Sequence, residues 1–415
     1  MRKGLEIALK YPLIRAILNR RSRRFGLGMK MEGLLAFKSK KEPIPLSEEE
    51  EALLVWAGAG LTGSALLDLP IETGLESIVQ WTGRTYPSPC NEHATELFYT
   101  NDEGVYFVKV RDCIPEKLAI FEDIEDEELV DTILRYFRKC VIKLEDSRAE
   151  LPDKPPGLFA FNVWNANKPG TSLFFPVTDT TIWYIDLIML YSAMKIPIYD
   201  EKNDRWCGVE EWIKSGALKP EYKMSLYEFE KRLITGLMVE QAVITHNMSL
   251  MAQAMGLGGW VFTGFLPFYA LGGSPEYKGF GFRFVKSKAG QLVPVGRDGV
   301  FEAYCPPYYS SMEKAVDAWL KDREKFWREA YVPYRDEHLK ERAKQYSEKE
   351  ILICKDVCNY IYETYGRIPA YIESMFSRLQ AQFQHIDIEF YDTYYKKGAY
   401  SETHLHHLKL WHEIK

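Results

Sequence analysis

The sequence lacks an apolar run long enough to cross a bilayer. Its longest, TIWYIDLIMLYSAM at 181–194, is shorter than the ~20 residues of a membrane helix and contains Asp186. The N-terminal segment also lacks the clean apolar stretch of a signal peptide, because charged and apolar residues alternate there. The sequence therefore predicts a buried core helix at 181–194, no membrane segment and a cytoplasmic location.

Cysteine and net positive charge are scarce as well. The seven cysteines are odd in number and scattered, a usage typical of reduced thiols and not of a disulfide framework. The formal net charge of −6 argues against nucleic-acid binding, which needs a basic face to displace counterions from phosphates. At 415 residues the chain is long enough for a full hydrophobic core.

Positive charge is nevertheless concentrated near the N terminus, in the segment NRRSRRFG. Crowded guanidinium groups repel each other unless an anion lies among them, and arginine forks with a serine hydroxyl match phosphate oxygens. Arg20, Arg21, Ser22 and Arg24 are therefore candidate phosphate ligands. The alternative, a solvated patch or ion pairs with the glutamate run at 48–51, stays open.

Two further segments suit a ligand with a polar edge. Pro87, Ser88 and Asn91 belong to a rigid turn before a strand, which can present backbone amides and an amide side chain. Thr263 and Gly264 follow a glycine bend, where backbone can approach a ligand closely.

In this order, the three segments resemble the nitroreductase family of FMN-dependent oxidoreductases. The context PSPCNEHATELF is most similar to the branch that contains the azoline-oxidising dehydrogenases. In the family, an Arg-x-Ser-x-Arg/Lys motif holds the flavin phosphate, and a Pro-Ser-x-x-Asn turn reaches the flavin from the partner subunit. Further matches are Asn247, Leu250, Ala252 and the glycine-rich helix end at 256–258.

The resemblance implies an α+β fold, a central antiparallel or mixed sheet surrounded by helices, with a helical C-terminal extension. It implies a flavin-binding core at 1–310 with an insertion around 111–225, followed by a module at 311–415. FMN would be bound in a homodimer, and hydride would pass through flavin N5 between NAD(P)H or an organic donor and a small organic acceptor. No catalytic side chain is identified, and Arg283 is a candidate for the late basic phosphate ligand. A non-redox protein that binds or remodels a flavin or another ligand on the same fold is the first alternative.

A metal-dependent enzyme is the second alternative, because five of the eight histidines lie in the C-terminal segment. On an extended strand His385, Asp387 and Glu389 share a face, and on a helix His404 and His407 lie three residues apart, so a nitrogen and oxygen ligand set is possible. A solvated terminal helix with buried aromatic residues is the interpretation we favour, and we predict no metal ligand.

A third alternative is a dinucleotide loop at Gly58, Gly60 and Gly63, which match the pattern Gly-x-Gly-x-x-Gly. Such a loop follows a strand, whereas Ser47 and Glu50 form a capping-box pattern that starts a helix before these glycines. We therefore predict a helix end there.

Local patterns predict several other elements. A helix is expected at 5–19 with a kink or restart at Pro12, a hairpin at 96–110 around NDEG, and one or two helices at 225–259. The segment FAFNVW at 159–164 is typical of a strand. Near the predicted turn, Tyr86, Cys90 and His93 are expected to be structural.

Overall fold

A computed structural model of the chain describes residues 3–65, 68, 70–72, 78–111, 125–330, 332 and 334–414. It is an α+β protein. The helices are α1 Lys3–Leu9, α2 Leu13–Asn19, α3 Glu48–Ala59, α4 Asp126–Cys140, α5 Thr180–Ala193, α6 Glu210–Lys214, α7 Leu226–Met255, α8 Pro267–Leu271, α9 Met312–Glu329, α10 Glu348–Tyr365, α11 Ile388–Tyr394 and α12 Glu402–Trp411. The strands are β1 Lys30–Met31, β2 Phe37–Lys38, β3 Leu61–Ser64, β4 Thr82–Arg84, β5 Thr95–Asn101, β6 Gly104–Val108, β7 Val141–Glu145, β8 Thr171–Asp179, β9 Ile198–Asp200, β10 Arg205–Trp206, β11 Met224–Ser225, β12 Gly258–Phe262, β13 Arg283–Lys286, β14 Leu292–Arg297, β15 Phe301–Glu302, β16 Met375–Phe376 and β17 Gln380–Gln384.

The central sheet has seven strands, in the order β12-β17-β8-β5-β6-β7, and β16 pairs with the far end of β8. Each pairing between these strands is antiparallel. The remaining strands form small two- or three-stranded sheets. β12 is therefore an edge strand, and one of its two backbone edges is available to the N-terminal segment.

The central sheet is covered on both faces. Successive residues of a strand point to opposite faces. On β8, Leu173 and Phe175 enter one hydrophobic cluster and Phe174 enters the other, and on β5 Phe98 and Tyr99 are divided in the same way. Burial on both faces explains why these strands read as nearly continuous apolar runs.

Helix α7 joins the two clusters. Its N-terminal half packs Phe229 and Leu233 in the first cluster, and its C-terminal half packs Ile244 and Met248 in the second. The helix ends at Gly256, whose φ of 91° is the left-handed conformation typical of a helix C-cap. This confirms the helix expected at 225–259 as one continuous element.

Several other local predictions are confirmed. The hairpin consists of β5 and β6, and the Asn101 side chain accepts hydrogen bonds from the backbone of Glu103 and Gly104 in its turn. The apolar run at 181–194 is the buried helix α5 with an N-terminal cap at Asp179. Among the described residues, no helix is both long and apolar enough to cross a membrane.

The alternative of a dinucleotide loop is wrong. The Ser47 and Glu50 capping box begins α3, and Gly58 lies inside that helix, so the glycine pattern follows a helix instead of a strand. A Cβ at Gly58 would lie 2.8 Å from Cγ of Met248, which explains a glycine at this close helix contact. Gly60 forms the helix C-cap, as expected.

Two other expectations need correction, and the restart at Pro12 is confirmed. Residues 160–162 form a short 3₁₀ helix, not a strand, because the local apolar pattern does not distinguish the two. Pro12 divides the N-terminal helix into α1 and α2, which confirms the restart expected there. Leu5 on α1 is buried, whereas Leu13 and Ile17 on α2 are exposed. Cys140 is disulfide-bonded, whereas five cysteines are free thiols.

Residues beyond 310 contribute to the central sheet as well as adding helices. β17 lies between β12 and β8, with Gln382 opposite Trp260 on one side and Leu173 on the other. The strand β8 and helix α5, within the expected insertion, occupy the middle of the molecule. The division of the chain at residue 310 stays a prediction.

Candidate functional site

The arginine-rich segment lies along the free edge of the central sheet. After α2 the chain is extended, and the backbone N–H of Arg23 donates to the carbonyl of Gly259 on β12 at 3.1 Å. This bridge fixes the segment between β12 and the C-terminal half of α7. The local sequence explains the geometry, because α2 ends at Asn19 and the following residues need partners outside a helix.

The segment forms one wall of a pocket, here called the arginine pocket. It is lined by Arg20, Arg21, Ser22, Arg23, Ser249, Ala252, Gln253, Leu257, Gly259, Trp260 and Phe383. Three of these lining residues are arginines, and none of them is a carboxylate. Such a one-sided distribution of charge favours an anionic ligand.

The arginines of the pocket do not find partners in the glutamate run at 48–51. Within the described part of the chain, Arg20 and Arg21 have no carboxylate within 4.0 Å. Glu48 pairs with Arg138 instead, and Glu50 contacts histidines. The ion-pair alternative is therefore wrong for these two guanidinium groups.

Arg23 differs from its neighbours because it is buried. Its guanidinium donates to the carbonyl of Ala399, to Oε1 of Gln253 and to the carbonyl of Asn19. Burial lowers the pKa of Arg23 to about 10. Its contacts are those of an arginine that stabilises the pocket wall, and sequence reasoning did not distinguish it from the others.

Arg24 lies outside the arginine pocket. It is not among the lining residues, and its guanidinium lies 5.5 Å from the ring centroid of Trp164, a cation–π arrangement. The structure thus brings Arg20, Arg21 and Ser22 together and leaves Arg24 on another side. Arg283, the candidate late basic ligand, pairs with Asp298 and does not line the pocket either.

Trp260, which lines the arginine pocket, has a buried hydrogen-bond donor without a partner among the described residues. It is buried on β12, stacks on Phe262 with ring centroids 4.8 Å apart, and its indole Nε1 has no hydrogen-bond partner among the described residues. A buried polar group without a partner costs about 1–3 kcal/mol, so it is typical of a site that a ligand completes. No local sequence pattern indicates this residue.

Thr263 and Gly264 follow directly after β12. Thr263 is exposed, whereas Gly264 is buried and its carbonyl accepts from the backbone N–H of Phe159 at 3.0 Å. A Cβ at Gly264 would lie 2.1 Å from Nδ2 of Asn162. The group that lies close to the backbone of Gly264 is therefore the side chain of Asn162, and not a ligand.

The turn at 87–91 contacts a different part of α7 from the arginine pocket. Ser88 donates to the Glu240 carboxylate, and Pro87 is exposed. The Asn91 amide donates to the carbonyls of Gln80 and Thr82, at 2.6 and 2.9 Å. Within one chain the turn and the arginine pocket are separate, and the side chain of Asn91 is used to fold the turn.

Asn91 also borders a second pocket, here called the mixed-charge pocket. It is lined by Gln80, Thr82, Arg84, Asn91, Glu92, His93, Arg111, Ile182, Tyr304, Trp319, Asp322, Arg323 and Phe326. Arginines and carboxylates occur together in this lining. Arg323 contacts Glu92 and lies 3.4 Å from Asp186, and both of these carboxyl groups are buried.

His93 lies in the mixed-charge pocket, where its surroundings keep the ring in the neutral form. Because the Asn91 amide nitrogen already donates twice, its Oδ1 accepts from His93 Nε2 at 2.6 Å, which leaves Nδ1 as the acceptor. Nδ1 has no partner among the described residues, and burial lowers the pKa of His93 well below its usual value. The ring is therefore neutral near pH 7, with a lone pair available.

The other two residues near the turn have structural roles. Tyr86 is buried and donates to the carbonyl of Thr95 at 3.2 Å. Burial raises the pKa of Cys90 to about 12, so its thiol stays protonated at neutral pH. Neither group is poised for chemistry.

The histidine-rich C terminus does assemble a compact group, although not the one expected. His385 and His407 meet His412 around the buried carboxylate of Glu50. The other members of the expected ligand set lie elsewhere: Asp387 caps α11, Glu389 pairs with Lys40, and His404 contacts Ser401 and the carbonyl of Leu257. The strand face proposed for His385, Asp387 and Glu389 is therefore wrong.

No family model matches the chain, and no curated protein matches it. Among solved structures, it is similar to the crystal structure of a putative nitroreductase from Ralstonia eutropha. The two chains are 14% identical, the match covers 61% of this chain and 70% of that one, and the TM-score is 0.27. A TM-score this low does not establish a shared fold.

Proposed function

We propose that this chain is an oxidoreductase that binds FMN, with the flavin phosphate in the arginine pocket. The observation that carries the proposal is the composition of that pocket, in which Arg20 and Arg21 lie beside Ser22 and none of the lining residues is a carboxylate. Guanidinium groups and a hydroxyl form short charge-assisted hydrogen bonds with phosphate oxygens. The resemblance of the sequence motifs to the nitroreductase family supports FMN as the phosphate-bearing group.

The residues around the arginine pocket fit such a group in two further ways. Trp260 offers an indole N–H that lacks a partner among the described residues, and its stacking on Phe262 makes an aromatic surface along β12. Arg23 holds the pocket wall on α7 through Gln253, which orders this part of the wall without a ligand. Preformed donors lower the ordering cost of binding.

When bound, FMN supplies hydride transfer through its N5 between NAD(P)H or another organic donor and a small organic acceptor. The chain's own part is to hold the phosphate with Arg20 and Ser22 and to cover one side of the ligand with β12 and α7.

We further propose a homodimer, in which the turn at 87–91 approaches the flavin of the other subunit. Within one chain, Ser88 contacts α7 at Glu240, whereas the arginine pocket contacts the same helix at Ser249 and Gln253. Ser249 follows Glu240 by nine residues on α7, which corresponds to about 14 Å along the helix axis. Within one copy of the chain, the turn at 87–91 and the arginine pocket therefore lie at separate points of this helix. The exposed apolar face of α2, next to the arginine pocket, supports an interface there.

The competing proposal is a non-redox protein that binds a flavin or another anionic ligand in the same pocket. Both proposals use the arginine pocket as the binding site. They differ in whether the protein catalyses a redox reaction. Purified protein that binds FMN but does not oxidise NADH or NADPH with any of a panel of quinone and nitroaromatic acceptors would favour it.

The test of the FMN site is flavin content, measured by visible absorbance after purification and after reconstitution with added FMN. We expect Arg20→Glu to weaken FMN binding by about 100-fold, since it replaces a charge-assisted hydrogen bond with repulsion. Arg24→Glu should have a smaller effect, because Arg24 lies over Trp164 outside the pocket.

Arg15→Glu is the matched control, since Arg15 is exposed on α2 and does not line the arginine pocket. It should retain the FMN affinity of the unmodified protein. A colourless protein that does not take up added FMN would overturn the proposal, and so would equal FMN affinity in Arg20→Glu and Arg15→Glu.

A further inference from the structure

Four buried side chains from three distant parts of the chain meet at one point beside α3. Oε1 of Glu50 lies 3.1 Å from Nε2 of His385 and 2.6 Å from Nε2 of His407, and Oε2 lies 3.1 Å from Nε2 of His412. Glu50 is fully buried, and the exposed fractions of the three histidine side chains are 1%, 3% and 14%. We call these four residues the histidine cluster.

The hydrogen bonds of Nδ1 in His385 and His407 determine which ring nitrogen carries the hydrogen. Nδ1 of His385 contacts the carbonyl of Ile44, and Nδ1 of His407 contacts the carbonyl of Met255, each at 2.9 Å. A carbonyl can only accept, so both Nδ1 atoms carry the hydrogen. In a neutral ring the Nε2 atom then has a lone pair, and in both rings it points at a carboxylate oxygen that is also an acceptor.

Two acceptors do not face each other at 2.6 Å without a proton or a metal ion between them. Extra protons on both rings would provide it, but they would place two positive imidazoles with centroids 5.0 Å apart in a buried site. One divalent ion carries the same charge as those two protons. Such an ion would also bond directly to the carboxylate and to all three Nε2 atoms, and would leave the rings neutral.

We propose that Glu50, His385, His407 and His412 bind one divalent transition-metal ion, with zinc as the expected occupant. Imidazole nitrogen and carboxylate oxygen are both common zinc ligands, with bonds of about 2.0–2.2 Å. Tetrahedral bonds of that length place ligand atoms about 3.3 Å apart. The four ligand atoms lie within 4.8 Å of one another, so small movements of the side chains suffice.

The surroundings of the histidine cluster are those of a metal site in a second respect. Metal-binding histidines usually donate their other ring N–H to a carbonyl or carboxylate, which orients the ring. His385 and His407 do so, and the backbone N–H of Ser47 donates to Oε2 of Glu50 at 2.6 Å. The carboxylate and two of the rings are thus held in place from outside the site.

The burial of the cluster indicates a structural role for the ion. Four protein ligands complete a tetrahedron and leave no position for a substrate. The ligands come from α3, from the residue after β17 and from the end of α12, so the ion would join the C-terminal helix to the core. The proposal does not depend on FMN, because none of the four residues lines the arginine pocket.

The experiment is elemental analysis of the full-length protein, produced without a histidine tag and purified without added metal. We expect about one zinc per chain. After removal by a strong chelator, added Co²⁺ should restore one equivalent and give the intense visible absorption of a four-coordinate site. We also expect the chelated protein to melt at a lower temperature, with recovery on adding Zn²⁺.

Two variants on the same stretch of chain make the test specific. His412→Ala removes a ligand near the end of α12, where loss of folding is least expected, and should weaken Co²⁺ binding by at least about 100-fold. His406→Ala is the matched control, because His406 is exposed on α12 and contacts Glu402, not the cluster.

Protein that contains no metal and binds neither Zn²⁺ nor Co²⁺ would overturn the proposal. Equal Co²⁺ affinity in His412→Ala and the unmodified protein would overturn it as well. Loss of metal in His406→Ala with retention in His412→Ala would place the metal on the surface, which contradicts the site. If a cluster variant fails to fold, the stoichiometry and Co²⁺ spectrum of the unmodified protein decide.

Discussion

Arg23 and Gln253 are joined by a hydrogen bond of 3.0 Å from the guanidinium Nη1 to the amide Oε1, which ties the N-terminal arginine segment to helix α7. The neighbouring Arg20 is exposed and makes no such bond. Two arginines three positions apart thus have different tasks. One fixes the pocket wall, and the other is free for a ligand.

This difference predicts opposite behaviour of two alanine variants. Arg23→Ala should lower the free energy of unfolding by about 3 kcal/mol, because it removes the guanidinium donor of the Gln253 amide oxygen and of the Ala399 carbonyl. Arg20→Ala should change that free energy by less than about 0.5 kcal/mol, since the side chain is exposed. Urea denaturation followed by circular dichroism measures both, and equal stability of the two variants would refute the assignment.

The unpaired indole of Trp260 gives a second prediction. Trp260→Phe keeps an aromatic ring beside Phe262 but removes the N–H, so FMN should bind about 10-fold more weakly. Titration of the apoprotein with FMN, followed by fluorescence, measures the affinity. Trp206→Phe, a tryptophan on β10 away from the pocket, should leave it unchanged. If Trp260→Phe binds FMN as tightly as the Trp206 control, the indole does not contact the ligand.

Local features of the fold were accessible from the sequence because their causes are local. The capping box of α3 needs only Ser47 and Glu50, and the hairpin turn needs Asn101 and Gly104. The arginine segment was also recognisable, since charge repulsion among neighbours needs no knowledge of the fold. Three of its predicted ligands, Arg20, Arg21 and Ser22, do line one pocket.

Features that depend on distant contacts were not accessible. β8 is a central strand because β5 and β17 pair with it, and its own sequence has no alternating pattern. Glu50 was interpreted only as a helix cap, although the carboxylate that caps α3 also receives three histidines from the other end of the chain. Asp387 and Glu389 were misplaced because the strand ends at Gln384, before the helix α11 begins.

Arg323 faces two buried carboxylates, which predicts how stability depends on pH. Burial raises the pKa of Glu92 to about 8 and that of Asp186 to about 6. Because the folded-state pKa of Glu92 is above its ordinary value of 4.5, the native protein holds a proton that the unfolded chain releases. The free energy of unfolding should therefore fall as pH rises from about 5 to 8, by up to about 1.4 kcal/mol per pH unit for this group.

Glu92→Gln tests the origin of that slope, because it removes the titrating group while keeping a polar side chain beside Arg323. Denaturation at several pH values should show a shallower decline between about pH 5 and 8 than in the unmodified protein. Glu324→Gln, an exposed neighbour on α9, is the control and should keep the full slope. An unchanged slope in Glu92→Gln would show that this carboxyl is ionised in the native protein.

The apolar face of α2 predicts the oligomeric state. Leu13, Ile14, Ile17 and Leu18 are between 50% and 69% exposed, an arrangement that a monomer in water rarely tolerates on one short helix. If this face covers a second copy of the chain, a double change of Ile14→Glu and Leu18→Glu should convert a dimer to a folded monomer, as measured by sedimentation equilibrium. Arg15→Glu on the same helix should remain dimeric. A monomeric unmodified protein would contradict the interface, and so would a double variant that still dimerises.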